Sequence, residues 1–228
     1  MAPPKKPSQQ GKNKVTRLES AKKRTSSSRR WLLRQLNDPF VAQAKKDGYR
    51  SRAAFKLIEI DDKFHILKPG AFVVDLGAAP GGWSQVCAKR LGPTGTIVAL
   101  DLQEIAPLTG VTFFQGDFTQ DDVLETLLNH TDKKVDAVLS DMAAPACGMQ
   151  QVDHTRIMVL LEQVFDFCHK VLTPGGAMVA KVLRGGTEHT LLKQLKKDFT
   201  KVVHFKPQSS RQDSAEMFVV CLGFRPQN

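Results

Sequence analysis

Residues 70–85 read GAFVVDLGAAPGGWSQ, and the fold follows from this stretch. Its first part, Ala71 to Leu76, is a β-branched apolar run carrying Asp75 near its end, the pattern of a buried strand. A glycine-rich turn runs from Gly77 to Gly82, and Trp83 opens a helix. Small residues let backbone approach a ligand more closely than side chains would permit. In open α/β sheets such a turn lies at the carboxyl edge of the central strand, where nucleotide-like cofactors sit. The segment predicts an adenosine-bearing cofactor; a tight turn without a ligand is the bland alternative.

Spacing narrows the choice of cofactor. A dinucleotide fingerprint needs G-x-G-x-x-G, with backbone NH groups facing a pyrophosphate. Here Gly77 is followed by Ala78, Ala79 and Pro80 before Gly81 and Gly82, so the middle glycine is missing and Pro80 removes a donor. A cofactor without phosphates, such as S-adenosylmethionine (SAM), fits better, its amino-acid end needing only a tight turn beside Asp75.

Working outward, the 228 residues suit one domain with a short appendage. Residues 1–34 hold eleven Lys and Arg against Glu19 alone, a formal +10 that equals the net charge of the whole chain. Residues 35–228, read as a single domain, balance 22 basic against 22 acidic groups. A polar arm of this kind buries too little apolar surface to fold alone. Its charge suits RNA, because each phosphate contact releases counterions. A solubilising tail and a mitochondrial presequence are the other readings, the latter lacking an apolar helical face. Four cysteines without C-x-x-C spacing and six histidines without a second ligand at metal spacing predict no metal site and no disulfide framework. The expectation is a reducing, cytoplasmic compartment, with no membrane span, no secretory signal and no metal.

Apolar residues at helical spacing predict helices over 37–46 and 50–64, the second carrying Arg50, Arg52 and Lys56 within two turns as phosphate-docking groups. Beyond Gly70 strands and helices alternate. Strands are expected at 71–76, 96–102, 111–115, 135–140, 177–183, 201–206 and 216–224, and helices from 83, over 121–129, 155–171 and 188–197. Pro174-Gly175-Gly176 reads as a turn into the fifth strand. Such alternation specifies a mostly parallel sheet with helices on both faces. The last two strands are joined by about ten residues and no helix, so that pair is expected to be antiparallel.

Asp75, Asp101, Asp117 and Asp141 each fall at or just past a strand's carboxyl end, so all four converge on one edge. Asp101 is placed to accept the ribose hydroxyls of the cofactor, and Asp117, in QGDF, its adenine amino group. Either alone could be a turn former. Gly77, Gly81, Gly82, Asp101, Asp117 and Asp141 are the candidate cofactor-binding residues.

GYRSRAAFKL, VVDLGAAPGGWSQ, QGDF, LSDMA, VAKV and SSRQDSAEMFVV together resemble the FtsJ family of SAM-dependent ribose 2′-O-methyltransferases, from about Ser27 to near the C-terminus. The resemblance implies a Rossmann-like methyltransferase fold, a seven-stranded, mostly parallel sheet with an antiparallel last strand. It also implies SAM as cofactor, ribosomal RNA in the large ribosomal subunit as partner, with a uridine of the A-loop as target, and a monomer without a stable protein partner. Trp83 joins the candidate cofactor-binding residues only by what this resemblance implies, and could equally be core packing at a helix start. A tRNA or cap ribose methyltransferase and a non-catalytic, RNA-binding assembly factor remain the alternatives.

The family's catalytic tetrad, carried over by motif, is Lys56 in SRAAFKL, Asp141 in LSDMA, Lys181 in VAKV and Glu216 in SAEMF. Removing the proton of a ribose hydroxyl and aligning it with the methyl donor is the chemistry required. Lys181 is the implied general base, or else purely orienting. To accept a proton it must first be neutral, a state favoured by desolvation and by Lys56, and opposed by Asp141 and Glu216. The sequence supports Lys181 independently, since a lysine inside the apolar run 178–183 needs a partner. Ala144 before Pro145, Arg184 after the VAKV strand, and Ala215 and Phe218 around Glu216 depart from the family pattern.

Overall fold

A computed structural model describes residues 36–131, 135–144, 147–185, 187 and 189–226. The basic arm expected over residues 1–34 lies outside the described residues, as do Pro145, Gly186 and Glu188.

Two helices precede the sheet. Helix α1, Pro39–Lys46, begins with Pro at its first position, and the Asp38 carboxylate accepts from Phe40 N at 3.0 Å, which satisfies one otherwise orphaned donor. Helix α2, Ala53–Phe64, buries Ala54, Leu57 and Ile60 completely and ends where His65 turns left-handed.

Seven strands follow: β1 (Phe72–Leu76), β2 (Thr96–Asp101), β3 (Val111–Gln115), β4 (Val135–Ser140), β5 (Leu172–Leu183), β6 (Phe199–Phe205) and β7 (Glu216–Phe224). Helices α3 (Gly82–Leu91), α4 (Asp121–Thr131), α5 (Gln150–Val171) and α6 (His189–Asp198) are interleaved with them. The strand order is β3-β2-β1-β4-β5-β7-β6. All pairs through β5 are parallel, whereas β7 runs antiparallel to both β5 and β6. The expected antiparallel last strand is thus present, inserted between β5 and β6.

Successive strand residues point to opposite faces, so the sheet builds two cores. Val74 and Leu76 join the core under α4, α5 and α6; Val73 joins the one under α2 and α3. Helices therefore cover both faces, as the alternation predicted.

The largest departures from expectation are at three boundaries. Helix α2 starts at Ala53, because Arg50 to Arg52 form its entry turn. Helix α5 starts five residues earlier than the apolar pattern indicated. It also passes straight into β5, whose Leu172 N still bonds Cys168 O, so Pro174-Gly175-Gly176 lies within the strand instead of before it. The β4–β5 register shifts between Val135 and Ala137, and a Cβ on Gly176 would stand 2.9 Å from Thr173 O and 3.2 Å from Asp136 O, so glycine permits that irregularity.

Candidate active site

Four charged side chains far apart in sequence meet above the carboxyl ends of β4 and β5. Lys181 faces the side of the sheet covered by α2, opposite Phe218 in the β5–β7 ladder. Glu216 pairs with Leu183 two residues further along and shares that face, so it lies diagonal to Lys181. Asp141 directly follows β4, whose last residue Ser140 is in register with Ala180. Lys56 descends from α2.

The result is a ring of alternating charge. Lys56 Nζ lies 2.7 Å from Glu216 Oε2 and 3.9 Å from Asp141 Oδ1. Lys181 Nζ lies 2.7 Å from Asp141 Oδ1 and 3.9 Å from Glu216 Oε2. Lys181 also donates to the Asp141 main-chain oxygen at 2.6 Å. The side chains are only 11–16% exposed, so the charges are largely desolvated and compensate one another. Burial works to raise the Glu216 carboxyl, but the charges of Lys56 and Lys181 and hydrogen bonds from Lys56 and Ser210 outweigh it and hold it below its usual value.

Beside the ring opens a cleft of about 790 Å³ lined by Gly77, Asp101, Asp117, Asp141 and Lys181, with Phe118 and Met142 among its walls. Gly77 is required by its φ of +77° and by crowding, since a Cβ would stand 2.8 Å from Met142 N. The Asp101 carboxylate accepts from Ala79 N and Gln103 N, both at 2.8 Å, which ties the glycine turn to the end of β2. Asp117 accepts from Thr119 N and Oγ1.

Other expected residues stand behind the cleft. Trp83 is 2% exposed, donates its indole NH to Ala53 O at 2.8 Å and packs on Phe218. A Cβ on Gly82 would come 2.5 Å from Ser51 Oγ, and one on Gly81 2.7 Å from the Arg50 guanidinium. Both glycines admit the entry of α2. Asp75 is wholly buried and bonded by Ser84 Oγ at 2.6 Å; burial pushes its carboxyl up to about 7, with Asp141 and Asp101 adding to the rise against the Ser84 bond. Asp75 therefore supports the turn from below.

The basic groups at the start of α2 do not match their expected role as phosphate docks. Arg50 donates to Ala106 O at 2.7 Å and Pro107 O at 2.8 Å, Arg52 is bound to Asp38 and Ser209 O, and Lys56 belongs to the ring. Their donors close internal contacts, Arg50 and Arg52 to main-chain oxygens of loops and Arg52 and Lys56 to carboxylates that also take other donors.

Sequence reasoning missed Arg50 as a clamp, Ser210 as a partner of Glu216, and Thr155, Arg156 and Val159, which bring α5 to the cleft wall. Val159 is apolar yet 48% exposed at that wall, and nothing in the sequence distinguishes it from the buried apolar residues of the same helix.

Residues 49–224 match the model of the FtsJ-like methyltransferase family. The chain belongs to this family. Ribosomal RNA large subunit methyltransferase E of Azorhizobium caulinodans is 56% identical over 212 residues, spanning 92% of this chain and 88% of that protein. The protein of the same name from Novosphingobium aromaticivorans is 55% identical over 218 residues, spanning 96% and 98%. Among solved structures, a Plasmodium falciparum protein assigned as a ribosomal RNA methyltransferase superposes with a TM-score of 0.71 at 33% identity, covering 78% of this chain and all of that one. The fibrillarin/Nop5p complex shares the fold alone, with a TM-score of 0.54 at 20% identity over 77% of this chain and 85% of that one. For an FtsJ-like methyltransferase, the ring of two amines and two carboxylates next to an open cleft is the feature that calls for a chemical account. Among the described residues there is no group of side chains suited to a metal ion, and no helix is long and apolar enough to cross a membrane.

Proposed function

We propose that this protein transfers a methyl group from SAM to a ribose 2′-hydroxyl of large-subunit ribosomal RNA, with a uridine of the A-loop in the assembled subunit as the target. The observation that carries the reading is the charge ring at the edge of the cleft. The relatives named for ribosomal RNA large subunit methylation support the substrate class.

The cleft fits SAM. Its volume of about 790 Å³ exceeds what a nucleoside-sized ligand needs, and Gly77 keeps one wall free of a side chain. Asp101 would accept the ribose hydroxyls and Asp117 the adenine amino group. Gly81, Gly82 and Trp83 would act through the shape of the turn and the orphan NH groups at the start of α3. Bound there, SAM supplies an already activated sulfonium methyl group.

What remains for the protein is to hold the hydroxyl in line and take its proton. Lys181 suits that task by its bonding. An ammonium has three hydrogens; one direction around Nζ is taken by a hydrogen bond to Asp141 O, while Asp141 Oδ1 at 2.7 Å is an ion-pair contact without hydrogen-bond geometry. The directions that remain are open to the substrate, and in the neutral amine one of them carries the lone pair. Lys56, bonded to Glu216 and lying 5.7 Å from the Phe218 ring centre, completes the ring. Glu216 and Asp141 stabilise the cation once the proton has moved.

Lys181→Ala is expected to lower methyl transfer by about three orders of magnitude, the scale of general base catalysis. SAM affinity by calorimetry should stay within about threefold. A variant turning over near the parent rate removes Lys181 from the mechanism. Mapping the 2′-O-methyl marks lost on gene deletion tests the nucleotide.

A further inference from the structure

Arg52, Lys56 and Glu59 follow one another along α2 at four- and three-residue spacing and share one face. All three meet the segment between β6 and β7 or the first residue of β7. Arg52, paired with Asp38, donates to Ser209 O. Glu59 accepts from Gln208 N and from Ser209 N, the latter at 2.8 Å. Lys56 reaches Glu216. Between these fixed points Ser210, 4% exposed, donates its hydroxyl to Glu216 Oε1 at 2.9 Å. The two oxygens of Glu216 are thereby divided: Oε1 belongs to Ser210, and Oε2 faces Lys56 and Lys181. The last torsion of a glutamate is broad, so without Ser210 nothing at Oε1 opposes its rotation.

We propose that Ser210 is a positioning residue for methyl transfer: its hydroxyl fixes the rotation of the Glu216 carboxylate, and α2 holds Ser210 in place through Arg52 and Glu59. The proposal rests on the tetrad reading above. It predicts that an element with no residue at the cofactor cleft, the β6–β7 connection, sets the geometry of the ring.

The test is single-turnover methyl transfer by the full-length protein to large ribosomal subunits, with enzyme and SAM in excess. Ser210→Ala should lower the rate by about ten- to a hundredfold, the loss expected for one hydrogen bond to a charged group. Half-saturating RNA and the SAM dissociation constant should change by less than about threefold. In a Glu216→Gln background the same substitution should add less than about twofold, since it acts through Glu216. The charged groups facing Glu216 are Lys56 and Arg52 from α2, Asp141 after β4 and Lys181 on β5. With these unchanged, loss of the donor raises the Glu216 carboxyl, and the acid limb of the rate profile moves to higher pH. Glu59→Gln, which loosens the segment without touching the ring, should reproduce a smaller loss of about three- to tenfold and keeps the question answerable if Ser210→Ala does not fold. A Ser210→Ala rate within threefold of the parent, or an equal loss with and without Glu216, overturns the proposal. A fully active Glu216→Gln variant would instead overturn the tetrad reading, a separate failure.

Discussion

Asp75 shows how one residue can set a pH dependence without touching a ligand. Its carboxyl, wholly buried, is pushed up to about 7, against about 3.9 in an unfolded chain. Because the folded state holds the proton more tightly, the stabilisation is full below about pH 4 and is lost as pH rises through 7. The loss amounts to roughly 4 kcal/mol at the conversion of 1.36 kcal/mol per pH unit. Asp75→Asn keeps an acceptor for Ser84 and carries no charge. Chemical denaturation between pH 4 and 8 should therefore show a falling stability for the parent and a flatter curve for the variant. Parallel curves would mean that Asp75 does not carry the dependence. The strand-end position of Asp75 was legible in the sequence, yet its similarity there to Asp101 and Asp117 hid that it faces the core.

At the scale of elements, the entry turn of α2 ties together three segments: Arg50 reaches Ala106 and Pro107 beyond β2, and its guanidinium fills the space over Gly81. Arg50→Ala would release the chain after Asp101 from the glycine turn. We expect SAM to bind about three- to thirtyfold more weakly by calorimetry, in line with the loss of one or two hydrogen bonds to a charged donor. Unchanged affinity would show that the cleft holds its shape without the clamp. Helix α2 itself was readable from its apolar spacing, and Leu57 and Ile60 are indeed completely buried. The partners of its polar face were not readable, because Ser209 and Glu216 lie 157 and 160 residues away from theirs.

For the whole molecule, the formal charge is unevenly distributed along the chain. Residues 35–228 are formally neutral, and the entire +10 resides in the first 34 residues. Because the folded domain balances its own charges, we expect long-range attraction to RNA to come from that segment. Deleting residues 1–34 should flatten the dependence of RNA affinity on salt and weaken binding at low salt by at least tenfold, while saturating substrate restores the transfer rate. An unchanged salt slope would assign the attraction to the folded domain. The sheet contributes differently: antiparallel β7, inserted beside β5, carries Glu216 to the edge where parallel β4 and β5 end.

By itself the sequence determined the elements and their order, because the period of apolar residues and the glycine turn are local properties. The strand-end carboxylates and the lysine inside an apolar strand were legible for the same reason, and the family motifs pointed to the four members of the ring. Only the tertiary structure decided which charges face one another: that Lys56 is bound to Glu216 and Lys181 to Asp141, that Trp83 and Asp75 serve the core, and that Ser210 holds Glu216. Those pairings are distances between atoms remote along the chain, and such distances come into being only when the sheet closes its register and α2 packs across it.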